Sequence, residues 1–365
     1  MSKILILANH YNTLRIFRRE LIKELINRGH SVEIAIPPCD EDNKNILLSY
    51  GTRVHFVDVD RRSINPIKDI KLFFDYKKLI KQVHPDKVIT YTIKPNIYGG
   101  FYCRISKIPY YANVTGLGSA FQKDNFVRKI VSFMYKVSLK KAKVVFFENV
   151  GNKDTLVENH IIKEEQSCVM AGAGVNLEEF KETPYPINEN EIVFLFVGRI
   201  MKEKGVNELF EVIYHLKKKY EFIRFQFIGW YEDNYKELVE KLQKDGFIEF
   251  YGFQSNVKPF IEKCHCVILP SYHEGMSNTL LEGAAMCRPL ITSHIHGCME
   301  AVIDEKTGFL VNVKDSKDLE EKIERFILMD YNSKKEMGIL GRQHMIKCFD
   351  KKDVVDKTIL KINKE

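Results

Sequence analysis

Two glutamates eight positions apart bound the segment Glu274-Gly-Met-Ser-Asn-Thr-Leu-Leu-Glu282. Upstream runs Cys266-Val-Ile-Leu-Pro-Ser, a short apolar stretch with strand character. Strand, glycine-containing turn and helix is how an α/β domain turns backbone N–H groups toward an anion. Carboxylates on both sides of such a turn suit hydroxyl groups flanking the anion, and a nucleotide sugar has that layout: ribose, diphosphate, sugar. Glu282 sits between Leu280-Leu281 and Gly283-Ala-Ala, in a helix that reads as buried, where a carboxylate needs a partner. The bland alternative is a pair of solvent-facing helix glutamates.

A second cluster, Gly198-Arg199-Ile-Met-Lys-Glu-Lys204-Gly205, follows another apolar strand. A loop at a strand's carboxyl end lies at the ligand face of an open sheet. Arg199 and Lys204 there are candidates to hold a diphosphate, whose charge grows as a glycosidic bond to it breaks. The alternative is two solvated surface cations.

The elements that must position these residues alternate regularly. Strands are expected at Lys3–Ala8, Val32–Ile36, Val54–Val57 and Lys87–Thr90, with helices at Arg15–Arg28 and Ile70–Val83. At 181–191 two prolines and a polar run without period mark a linker. The alternation then restarts, with strands at Ile192–Val197, Arg224–Ile228, Ile248–Tyr251, Cys266–Leu269 and Pro289–Thr292. Helices are expected at Asn207–Tyr220, Asn234–Lys244, Leu319–Met329 and near 351–362. The pattern predicts an α/β chain of two doubly wound, Rossmann-like domains with the ligand site in an interdomain cleft.

The bulk numbers agree with that class. The chain has 365 residues, 45% hydrophobic and 29% charged, a globular composition. No apolar run reaches the roughly 18–20 residues of a membrane span, and no secretory leader is expected, so the chain reads as cytoplasmic. Eight scattered cysteines without a C-x-x-C read as reduced thiols. Residues 1–150 carry 26 Lys/Arg against 13 Asp/Glu, and the remainder 30 against 36. A basic first half and an acidic second half predict an anionic surface facing the first.

In Gly198-Arg199, Lys204-Gly205, Pro270-Ser-Tyr-His-Glu274-Gly, Glu282, Gly297-Cys-Met-Glu300 and Thr307-Gly308-Phe-Leu, the second half resembles the family-4 retaining glycosyltransferases of the two-domain GT-B type. In the first half, Arg62-Ser-Ile-Asn-Pro66, Lys94-Pro-Asn96-Ile-Tyr-Gly99 and Thr115-Gly-Leu-Gly-Ser119 are similar to a bacterial subgroup. Its members build O-antigen, capsule or protein-linked glycans on undecaprenyl diphosphate. The bacterial N-acetylgalactosaminyltransferases of protein N-glycosylation are similar throughout.

The resemblance implies that Arg199 and Lys204 bind the diphosphate of a UDP-sugar donor, Glu282 its ribose and Glu274 its sugar hydroxyls. Backbone N–H groups of Gly275, Met276 and Ser277 would complete the anion site. It implies retention of configuration, with a donor phosphate oxygen taking the acceptor proton, and no metal or other cofactor. The expected division is residues 1–182 for the acceptor and the membrane and 183–349 for the nucleotide sugar, with a helix at 350–365 packing back on the first domain. The family's Gly-Gly pair after the first strand is replaced by Asn9-His10-Tyr11-Asn12-Thr13, and its first-domain histidine by the Thr115-Gly116 loop. Lys94 and Asn96, with Thr115 and Gly116, are the acceptor-side candidates, against a reading as plain turn residues.

The segment Lys123–Lys143 holds seven cations and one acid with aromatic and aliphatic residues between them. As a helix it would place Lys129, Lys136, Lys140 and Lys143 on one side, near Arg128, and residues 126, 130, 133, 134 and 137 on another. Such a helix suits an anionic membrane interface, with Arg61, Arg62, Lys68 and Lys71 on the same face, and high salt would strip it. The alternative is an ordinary helix packed on the sheet. Three other signals are weak. Asp58-Val-Asp60 lies far from the donor motifs, Cys264-His265-Cys266 with His294, His296 and Cys298 has no usual zinc spacing, and Gly116-Leu-Gly118 is a fragment of a phosphate loop. No nucleic-acid motif is present. Two rival functions fit the same architecture: a UDP-sugar 2-epimerase, which needs no acceptor, and a non-catalytic nucleotide-sugar-binding module.

Overall fold

The computed structural model describes residues 1–60, 65–118, 121, 126–187, 190–232 and 234–364. Arg61, Arg62, Ser119 and Lys123 lie outside the described residues. The chain forms two compact units, Met1–Ala173 with Lys352–Glu365, and Gly174–Lys351. Each is a parallel sheet wrapped by helices, the α/β doubly wound class predicted from the alternation.

The first unit runs β1 (Lys3–Leu7), α1 (Tyr11–Arg15), α2 (Arg19–Asn27), β2 (Ser31–Ile36), α3 (Glu41–Leu48), β3 (Arg53–Phe56), α4 (Pro66–Val83) and β4 (Lys87–Tyr91). A π-helical turn at Pro95–Gly99 leads into α5 (Gly100–Ser106), then β5 (Tyr110–Val114), α6 (Phe126–Leu139), β6 (Val144–Phe147), α7 (Val150–Glu158) and β7 (Ser167–Val169). The strand order is β3-β2-β1-β4-β5-β6-β7. The inner strands are apolar on both sides because helices cover both faces. Leu5, Leu7, Val88, Ala112 and Phe147 pack under α4, α5 and α6. Ile4, Ile6, Ile34, Ile89 and Tyr111 face α2 on the other side.

Two helices differ from expectation. The predicted Arg15–Arg28 helix is broken into α1 and α2, because Arg18 leaves helical geometry and turns inward. Its guanidinium is buried, pairs with Glu148 at 2.7 Å and lies 5.1 Å from the Tyr91 ring. The predicted basic helix ends at Leu139, so Lys140 and Lys143 lie beyond α6 and share no helix face with Lys129 and Lys136. By contrast α4 begins a turn before the predicted Ile70. Asn65 Oδ1 accepts from the N–H groups of Ile67 and Lys68, and Pro66 occupies the first turn.

The second unit runs β8 (Ile192–Val197), α8 (Val206–Lys219), β9 (Ile223–Ile228), α9 (Lys236–Lys244), β10 (Glu249–Phe250), α10 (Lys258–Lys263), β11 (Cys266–Leu269), α11 (Asn278–Ala285), β12 (Leu290–Ser293), β13 (Gly308–Val311), α12 (Ser316–Leu328) and α13 (Tyr331–Cys348). Its strand order is β10-β9-β8-β11-β12-β13. A last helix, α14 (Lys351–Asn363), returns to the first unit. There Val355, Ile359 and Ile362 join the core on the α2 side, and Tyr111 Oη donates to the Ile362 carbonyl at 2.8 Å. Among the described residues no helix is long and apolar enough to cross a membrane.

Candidate functional site

In both sheets the strand order reverses direction once: between β1 and β4 in the first, between β8 and β11 in the second. At such a point the loops leaving two adjacent strands diverge, and the crevice outside their carboxyl ends is where open α/β sheets hold ligands. The loop after β8 carries Arg199 and Lys204, and the loop after β11 carries Glu274, so the two motifs meet at the second reversal.

The meeting depends on one missing Cβ. Lys204 ends a short 3₁₀ turn at Lys202–Lys204, and Gly205 follows with φ 68° before α8 begins. A Cβ on Gly205 would stand 2.0 Å from the Pro270 carbonyl oxygen, so only glycine lets the two loops touch. The Tyr272 N–H donates to the Glu203 carbonyl at 2.8 Å, and Tyr272 Oη donates to the Glu208 carboxylate on α8 at 2.6 Å. Held this way, Lys204 Nζ donates to Glu274 Oε1, which also accepts from Ser271 Oγ at 2.9 Å. The two charged side chains come from positions 70 apart in sequence and keep only 15% and 13% of their exposure.

Glu274 is backed from its other side by Gly297, whose φ is 91°. A Cβ there would lie 2.7 Å from the Gly275 carbonyl oxygen and 2.8 Å from Glu274 Cβ. The Gly297 carbonyl accepts from the Ser277 N–H at 2.9 Å, and the Gly297 N–H donates to Glu300 Oε2 at 2.6 Å. The Ser277 N–H, a candidate for the anion site, is therefore spent on the protein in this state. Ser277 occupies the N-cap position of α11 without a side-chain capping bond, with Met276 and Ser277 themselves buried and Gly275 half-buried. Glu282 lies one turn further into α11, half-buried, and burial pushes its carboxyl up to about 7, against the opposing pull of Lys351.

Arg199 takes a separate course. The pairing of β8 and β9 continues past the strands through an Ile200–Tyr231 bridge, which brings Glu232 to Arg199 at 3.0 Å. Glu232 and Gly297 act through space on residues 20 or more positions away, whereas Ser271 and Glu300 each bond a residue three positions off, Glu274 and Gly297. Gly297 and Glu300 stood in the recognised motifs, but nothing in the sequence linked Glu232 to Arg199.

In the first unit the acceptor-side candidates separate. Lys94 pairs with Asp69 of α4 at 2.7 Å, with both side chains mostly buried. Asn96 is fully buried; it accepts from Thr90 Oγ1 at 2.6 Å and donates to the Asn113 carbonyl at 2.9 Å. It fastens β4 to β5, with both ends of its amide engaged by the protein. Thr115 and Gly116 follow β5 and are half-buried at the sheet's carboxyl edge, with Gly116 at φ 150°. Thr92, the first residue after β4, holds φ 74°, an outlier for a β-branched residue, and its N–H donates to the Asn113 carbonyl at 3.2 Å. Arg128 is half-buried 5.9 Å from the Phe121 ring, whereas Lys129, Lys136, Lys140 and Lys143 are exposed.

Two family models match the chain: "Glycosyl transferases group 1" over residues 177–344 and "Glycosyl transferase 4-like" over residues 3–149. An N,N'-diacetylbacillosaminyl-diphospho-undecaprenol alpha-1,3-N-acetylgalactosaminyltransferase of Campylobacter jejuni is 30% identical over 323 residues, 84% of each chain. A UDP-Gal:alpha-D-GlcNAc-diphosphoundecaprenol alpha-1,3-galactosyltransferase of Escherichia coli is 25% identical over 285 residues, 73% of each chain. Among solved structures, Anabaena HepE in complex with UDP and glucose superposes with a TM-score of 0.81 over 100% of both chains at 16% identity, a likeness of fold.

Proposed function

The chain belongs to the group 1, family-4-like glycosyltransferases of GT-B fold, and we propose that it moves a hexose or N-acetylhexosamine from a UDP-sugar to an undecaprenyl-diphosphate-linked glycan. The observation that carries this reading is the Lys204–Glu274 pair at the reversal between β8 and β11. The printed substrates of the Campylobacter and Escherichia relatives support the donor and acceptor classes.

In this reading the donor diphosphate takes Lys204 and Arg199 from their carboxylate partners. Glu274, released, accepts from hydroxyls of the donor sugar, while Glu282 accepts from the ribose. The acceptor hydroxyl attacks the anomeric carbon on the face from which UDP departs. The bond from that carbon to the phosphate oxygen breaks, the acceptor oxygen takes its place, and the hydroxyl proton passes to the departing phosphate. Configuration is retained and the fixed cations balance the growing charge, with no metal in the scheme. Residues 183–349 serve the nucleotide sugar and residues 1–182 the acceptor. The enzyme works as a peripheral protein at the cytoplasmic face of the membrane.

Lys204→Ala and Glu274→Ala are each expected to lower acceptor-dependent UDP release roughly 100- to 1,000-fold with the fold intact by circular dichroism. Parent-like turnover in either variant overturns the assignment. UDP release that does not need acceptor points to the epimerase chemistry instead.

A further inference from the structure

The face of the first unit formed by α4, α5 and α6 exposes a row of large apolar side chains. On α4 these are Ile67, Ile70 and Phe74, at 80%, 59% and 54% exposure. On α6 they are Phe126, Ile130 and Phe133, at 75%, 43% and 67%. Spacings of three, four and seven put each trio on one side of its helix. The two helices belong to one layer. Their inner residues share a core with α5, the Phe73 ring of α4 lies 5.8 Å from Phe101 of α5, and Arg104 of α5 donates to the Val137 carbonyl of α6 at 2.6 Å.

Lysines border the row. Lys71 and Lys78 share the outward side of α4, and Lys129 and Lys136 flank the trio on α6; all four are exposed. Neither α5 nor α6 contains an acidic residue; α4 contains Asp69, engaged by Lys94, and the half-buried Asp75, one helical turn from both Lys71 and Lys78. Lys68, by contrast, is held by Asp60 at 3.0 Å. Apolar tips bordered by a surplus of cations, four lysines against Asp75 among the described residues, match the two layers of an anionic leaflet, hydrocarbon below and phosphate above.

We propose that this face inserts into an anionic lipid bilayer, with the α4 and α6 trios entering the acyl region and the four lysines contacting headgroup phosphates. The proposal deepens the lipid-acceptor reading above and rests on it for its purpose, but its test needs no transfer. The 365-residue chain is sedimented with vesicles of phosphatidylcholine alone and of phosphatidylcholine with about one-third phosphatidylglycerol. The parent is expected to bind the second at least tenfold more tightly than the first. An Ile70→Ser, Phe74→Ser, Phe133→Ser variant is expected to lose at least tenfold in binding at low and high salt alike. A Lys71→Gln, Lys129→Gln, Lys136→Gln variant is expected to lose binding only at low salt.

Because Trp230 is the single tryptophan, Phe133→Trp in a Trp230→Phe background gives a local reporter. Its emission is expected to move to the blue on vesicles. Parent-like binding by the serine variant, or an unshifted reporter on bound protein, overturns insertion. Binding to neither vesicle, or self-association in place of it, overturns the proposal as well. Vesicle binding without transfer to any acceptor would instead sink the enzymatic reading and leave the face standing.

Discussion

The Lys204–Glu274 pair keeps two charges with little water around either, a state that is costly unless each charge has a partner. Removing one member therefore strands the other, and alanine at either position should also lower stability, by roughly 3 kcal/mol. Glu282 tests the same logic through pH. Its carboxyl is pushed up to about 7 from an ordinary 4.5, so the fold favours the neutral form. The native state then holds more protons than the unfolded one between those values. Stability is full below the lower value and falls as pH rises toward the upper, by about 3 kcal/mol at most. Glu282→Gln should abolish that slope, measured as the urea midpoint at about pH 5 and about pH 8, while weakening UDP binding. A parent-like slope in the variant would place its source elsewhere. Arg199, Lys204, Glu274 and Glu282 were legible because each stands in a short motif after an apolar run. That Lys204 finds Glu274 while Arg199 finds Glu232 was not, since both partners come from other strands.

At the scale of elements, Gly205 joins two loops that carry the chemistry. Gly205→Ala faces both a left-handed backbone and the Pro270 carbonyl, and is expected to cost roughly 2–4 kcal/mol in urea denaturation. A shift below about 1 kcal/mol would mean that the loops separate easily. The strands β8 and β11 were legible to the residue because each is a pure apolar run bounded by Gly198 or Pro270. The 18-residue α13 was missed for a physical reason: it packs through backbone. Gly338 and Gly341 are among its buried residues, and a Cβ on Gly338 would meet the Cys287 carbonyl oxygen at 2.1 Å. A helix that buries glycine shows no stripe of large apolar residues to read. The break at Arg18 was equally silent, because the Glu148 that draws it inward lies 130 positions away.

For the whole molecule, the apolar row on α4 and α6 changes what holds the protein to a surface. Each lysine adds about 1 kcal/mol near an anionic leaflet, while burying a Phe or Ile side chain is worth about 1.5–3 kcal/mol. Six partly exposed apolar side chains thus outweigh four cations. High salt is expected to weaken the attachment without stripping it, a departure from what the charge pattern alone predicts. The other face of the same sheet is closed by α14, through Val355, Ile359 and Ile362, an ion pair between Arg28 and Asp356 at 2.5 Å and a bond from Lys357 Nζ to the Val169 carbonyl. Deleting residues 352–365 should therefore unfold the first unit preferentially, seen as tryptic cleavage within residues 1–173 before the second unit is cut. Equal protease resistance with and without the deletion would contradict that. The same helix sets a timetable on the ribosome. The sheet that β1 begins waits for the 178 residues of Gly174–Lys351 before its last covering helix exists. At about 5–20 residues per second the nascent chain spends roughly 10–35 s with that apolar face open, an interval in which a chaperone is its natural cover.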